Sequence, residues 1–64
     1  MYTITFTALG TNHLEALKRL RAVGLRPESH DEMDGSIVVA AKEIDPVRSL
    51  LGDLSISNWT AVDD

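Results

Sequence analysis

The side chains best able to do chemistry in this sequence are two histidines, a run of carboxylates and a cluster of basic residues. His13 lies in GTNH, ahead of a helical pattern, where backbone N–H groups can receive an anion. That segment has one glycine and no lysine, so it is not a phosphate-binding loop. It reads instead as a capping turn. The sequence contains no cysteine, the two histidines fall in different segments, and no Ser/His/Asp set is apparent. No nucleophile is therefore provided with a base. The chain is expected not to be an enzyme, and to need neither cofactor nor metal.

His30, Asp31, Glu32 and Asp34 have the composition of a metal site but not the order of one. A calcium loop needs oxygen ligands at alternate positions, a central glycine, and a glutamate six residues after it. Gly35 fits, but Ala41 stands at the closing position and His30 at the opening one. Asp31, Glu32 and Asp34 read as a solvated hairpin tip. As an electronegative patch they are candidates for recognition by a basic partner. Lys18, Arg19, Arg21 and Arg26 hold four of the six basic residues. They suit the C-terminal half of a helix, where positive charge complements the dipole. With a net charge of −4 the chain is a poor ligand for phosphate backbones, and no direct nucleic-acid partner is expected.

Sixty-four residues make one small domain, spanning 1–64. Such a chain buries only about 60% of the surface its unfolded form exposes. Without a disulfide or a metal, its stability must come from one core, completed where necessary by a partner or a second copy. The composition, 44% hydrophobic and 25% charged, is that of an ordinary globular protein. No apolar run approaches the roughly 20 residues that span a bilayer. MYTITFTALG has no basic region and alternates in polarity, unlike a signal peptide. The expected setting is the cytoplasm, with no membrane partner.

The elements that position these residues follow from periodicity. In YTITFTAL, Tyr2, Ile4, Phe6 and Ala8 alternate with threonines, a strand pattern with one apolar face. TNHLEALKRLRAVGL predicts a helix from about His13 to Val23. Asn12 would cap it, with Glu15 completing a capping box. Leu14, Leu17, Leu20 and Val23, with Ala16, form the apolar stripe. Gly24 and Leu25 close the helix in a Schellman motif. LRPESHDEM carries a proline and many charges, which suit an edge strand. Asp34-Gly35 marks a hairpin. Ile37 to Ala41 is apolar at every position and reads as a central strand. Asp45 and Pro46 suit the N-cap and first position of a short second helix. Val47, Leu50 and Leu51 form its apolar face, and Gly52 ends it. Leu54 to Val62 predicts a last strand, bulged near Ser57–Asn58 to reconcile its two parities.

The order β-α-β-β-α-β is that of an α+β, ferredoxin-like fold: a four-stranded antiparallel sheet with two helices on one face. The helices should meet Ile4, Phe6, Ile37 and Val39. The opposite face then carries Thr3, Thr5, Thr7, Val38 and Ala40, mild enough to be solvated or to dock a partner. It lacks the aromatics that an RNA-binding sheet presents. Trp59 either completes the core or anchors a partner at an edge strand.

Heavy-metal-associated domains share this topology, but their first loop carries Cys-x-x-Cys where this chain has GTNHLE, which excludes metal transfer of that kind. The first strand, the short loop and LEALKRLRAVGL resemble the opening of ACT-type regulatory domains. The resemblance covers about the first 25 residues and consists of generic helix and cap residues. It implies a ligand-sensing homodimer with a small molecule near Gly10–His13. The residues themselves favour a small acidic protein-binding module: a regulator, or an inhibitor of the kind that phages and mobile elements encode, occluding a partner's surface. Its expected contacts are Asp31, Glu32, Asp34, Thr3, Thr5, Val38 and Trp59. A homodimer through the open sheet face or an edge strand is compatible with the same surfaces.

Overall fold

A computed structural model describes all residues from Met1 to Asp64. The elements are β1 (Tyr2–Thr7), α1 (Thr11–Ala22), β2 (Pro27–His30), β3 (Ser36–Ala41), α2 (Asp45–Asp53) and β4 (Trp59–Asp63). All sheet pairings are antiparallel and the strand order is β2-β3-β1-β4. This is the ferredoxin-like arrangement, with the two strongest strand patterns in the centre. The Pro27 strand is an edge, as its missing N–H requires, and its pairing with β3 shifts register between Pro27 and Ser29.

The alternation in β1 sets the layers. Ile4 and Phe6 point to the helices and are fully buried, with Ile37 and Val39 beside them from β3. Val47, Leu50 and Leu51 seal the core from α2. From α1 come Ala16 and Leu20, headed by His13. The inward stripe of α1 is thus 13, 16, 17 and 20, a regular i, i+3, i+4, i+7 set with a histidine in first place. Leu14, expected in the core, is 59% exposed, and Val23 is exposed as well. A stripe built from leucines alone rotates the helix wrongly, because the position nearest β1 belongs to a polar ring.

The expected capping box does not form. Gly10 occupies the N-cap, no side chain bonds the first turn, and Glu15 instead pairs with Arg19 at 3.3 Å. The C-terminal end is as expected. Leu25 N–H donates to Leu20 O at 2.9 Å and Gly24 N–H to Arg21 O at 3.0 Å, with Gly24 at φ +80°. Both bonds of a Schellman motif are present.

α2 ends in the same way, which overturns the reading of Leu54 to Val62 as one strand. Ile56 N–H donates to Leu51 O at 2.8 Å and Ser55 N–H to Gly52 O at 3.0 Å. Ser55 takes the left-handed position, at φ +58°. Leu54 and Ile56 therefore belong to the helix exit, and Ile56 is tucked into the core from there. Only Trp59 to Asp63 pairs with β1. The two parities belong to two structures, and no bulge is needed. Asp45 likewise lies inside α2, with Ile44 at the N-cap, and Gly52 falls within the helix rather than after it.

Two stability measurements follow. Leu20→Ala should cost about 2–5 kcal/mol in denaturant unfolding, since it empties a fully enclosed site. Ser55→Gly should stabilise by about 0.5–1 kcal/mol, because glycine takes the left-handed conformation without the Cβ clash that serine bears.

Candidate functional site

The β2–β3 connection is a five-residue turn, Asp31 to Gly35, rather than a minimal Asp-Gly hairpin. Gly35 N–H donates to Asp31 O at 2.8 Å and Asp31 N–H to Ser36 O at 2.9 Å. Two carboxylates brace it from outside: Asp31 Oδ1 accepts the Met33 N–H and Asp34 Oδ1 the Ser36 N–H, both at 2.8 Å. These are the local bonds through which aspartate favours turns. The Ser36 N–H, and after it the Ser36 hydroxyl, hold the Asp34 carboxyl below its ordinary pKa. Asp31, Glu32 and Asp34 are exposed and none is in an ion pair. Among them Met33 is 94% exposed. The turn thus presents one flexible apolar side chain ringed by carboxylates, a feature unnoticed in the sequence although the DEMDG spelling contains it.

The turn's floor is Gly35. It is buried at φ +79°, and a Cβ there would meet Ala8 O and a Leu9 methyl, each at 2.7 Å. Ala8 N–H donates to Gly35 O at 2.9 Å. The acidic turn is therefore fastened to the end of β1.

Thr3, Thr5 and Val38 come together on the open sheet face. Thr5 is opposite Val38 on one side and Thr60 on the other, and Thr3 is opposite Ala40 and Val62. Thr3 Oγ1 donates to Asp64 Oδ2 at 2.7 Å at the rim. Trp59 does not join them. It is opposite Phe6, on the helix side, and half-buried against the core. The seven candidate contacts thus fall on three separate places: the acidic turn, the open sheet face, and the core edge under Trp59.

The sequence reading also missed a contact between the two histidines. His13 is 1% exposed, and its Nδ1 lies 2.9 Å from Ala8 O. A carbonyl only accepts, so Nδ1 carries the proton and the neutral ring presents a lone pair at Nε2. His30 Nδ1 sits 3.3 Å from that atom, with the ring centroids 5.4 Å apart. β2 projects His30 to the helix side, opposite Ile37. Seventeen residues separate the pair in the chain, and only the register of an edge strand brings them together. No three His, Asp or Glu side chains converge as metal ligands.

No protein-family model matches this chain, and neither does any curated protein or solved structure compared with it. No helix is long and apolar enough to cross a membrane.

The lowered Asp34 pKa fixes the sign of an acid effect. The folded carboxyl holds its proton less tightly than the unfolded one, so its contribution is present above the unfolded value and is lost as pH falls through the folded one. Asp34→Asn should therefore lose less stability than the parent as pH drops from about 5 to about 2. Urea midpoints at several pH values measure this directly.

Proposed function

We propose that this chain is a small non-catalytic protein-binding module that docks through its acidic turn. The observation that carries the reading is Met33, 94% exposed at the tip of a braced turn and surrounded by Asp31, Glu32 and Asp34. An apolar side chain held in solvent gains by entering a pocket, and methionine adapts to irregular ones. The carboxylates around it steer the turn toward a basic surface and reject acidic ones. Bracing by the turn's own backbone lowers the ordering cost on docking. The partner has a positively charged surface with an apolar recess, and occupying that surface makes the module a regulator or an inhibitor.

A second reading is supported by the open sheet face. Thr3, Thr5, Thr7, Val38, Ala40, Thr60 and Val62 carry no charge, on a molecule whose net charge is −4. Two copies meeting there would bring together a face whose one carboxylate, Asp64, is held at the rim by Thr3, so homodimerisation through its uncharged centre is compatible with partner binding at the turn.

A binding assay against captured partners separates the parts. A partner retained by the parent chain should be lost from Asp31→Ala/Glu32→Ala/Asp34→Ala and from Met33→Lys, and its binding should weaken as salt is raised. Retention of the same partner by the triple variant would remove the turn from the interface.

A further inference from the structure

We propose that the cleft between α1 and β2 binds a phosphate monoester, its oxyanion held by Arg21, Arg26 and His30 and its organic part lying on Leu17, Leu25 and Pro27. These six side chains line a cleft of 520 Å³, within the usual range for small-molecule sites. The chain has four arginines. Arg19 pairs with Glu15 and Asp53, and Arg48 pairs with Asp45. Arg21 and Arg26 meet no carboxylate, and both line this one cleft. In a chain with ten acidic side chains, none of them lines it. Two unpaired planar guanidinium forks in one recess can each bond a pair of oxygens from the tetrahedral set of a phosphate. The C-terminal carbonyls of α1, which would repel an anion, are partly occupied: Leu20 O and Arg21 O accept the N–H groups of Leu25 and Gly24.

His13 prepares the third ligand. Because Ala8 fixes the His13 proton on Nδ1, His13 Nε2 is an acceptor for His30 Nδ1–H. His30 is thereby held with its proton on Nδ1, leaving Nε2 as its remaining ring nitrogen. Neutral His30 presents a lone pair there. Protonated His30 presents an N–H donor, while its other N–H stays on His13. His13 is thus a positioning residue, and uptake of one proton by His30 completes the anion site. The charged groups around His30 are Arg21 from α1, Arg26 from the α1–β2 connection and Asp31, next in the chain.

Calorimetry and amide NMR shifts with phenyl phosphate, inorganic phosphate and phenyl sulfate test the site. Phenyl phosphate should bind more tightly than inorganic phosphate, with shifts centred on the cleft. Arg21→Gln and Arg26→Gln should each weaken it about tenfold, the usual loss of one charged hydrogen bond. All three polar ligands are exposed, so thermal melts will show whether these variants remain folded. Phenyl sulfate does not titrate near neutrality. Its affinity should rise on acidification, and His30→Gln should abolish that rise. Absence of phenyl phosphate binding, or binding that both arginine variants leave intact, would overturn the site. An unchanged pH profile in His30→Gln would overturn the role of His30. The acidic turn is probed by different variants, so either proposal can fail without the other.

Discussion

One buried hydrogen bond, from His13 Nδ1–H to the carbonyl of Ala8, governs how the rest of the molecule is put together. His13 is the one polar or charged side chain counted among the buried residues, and no buried side-chain polar atom is left without a partner. An imidazole enclosed without its acceptor would carry a desolvation cost that so small a core could not easily offset. Its acceptor lies five residues back, at the end of β1, so the bond fixes how α1 leaves the sheet. The rotation of α1 follows: positions 16, 17 and 20 turn inward with 13, and Leu14 turns out. The N–H of the same residue donates to Gly35 O. First strand, first helix and acidic turn therefore meet at one residue, Ala8.

Much of the fold could be read before the structure was known. The threonine alternation in β1, the continuous apolar run of β3 and the proline in β2 each have a direct physical meaning, and together they define the sheet order. Gly24 and Leu25 announced a Schellman ending for α1. The same ending at α2 went unseen because Ser55, not glycine, takes the left-handed position. Helix exit and strand then merged into one apparent segment. The N-terminus of α1 was misread for a related reason. Asn12 and Glu15 have the right types for a capping box, but Glu15 makes the local i,i+4 pair with Arg19 that the same spacing also allows, and Gly10 stands at the cap.

The candidate surfaces were legible in type more than in place. Alternation correctly grouped Thr3, Thr5 and Val38. It could not place Trp59, whose face depends on where β4 begins. The histidine pair was invisible, since neither ring has a sequence neighbour that signals it. Its formation depends on the pairing of a four-residue edge strand whose register shifts partway along. The resulting charge layout is more local than a basic helix opposed to an acidic hairpin. His30 ends β2 with unpaired arginines on one side and the carboxylates of the turn on the other, so the two charge fields meet at a single residue.

The strand order also has a consequence for how the chain reaches this state. Only β2 and β3 are neighbours in both sequence and space. β1 must find β3 across α1 and β2, and β4 returns to β1 so completely that Thr3 and Asp64, 61 positions apart, share a hydrogen bond. Most of the sheet thus forms by closing long loops, whose entropic cost precedes the contacts that offset it. For a chain of this size such a topology implies slow, all-or-none assembly. The lone local hairpin, capped by the braced acidic turn, is the natural place for order to begin.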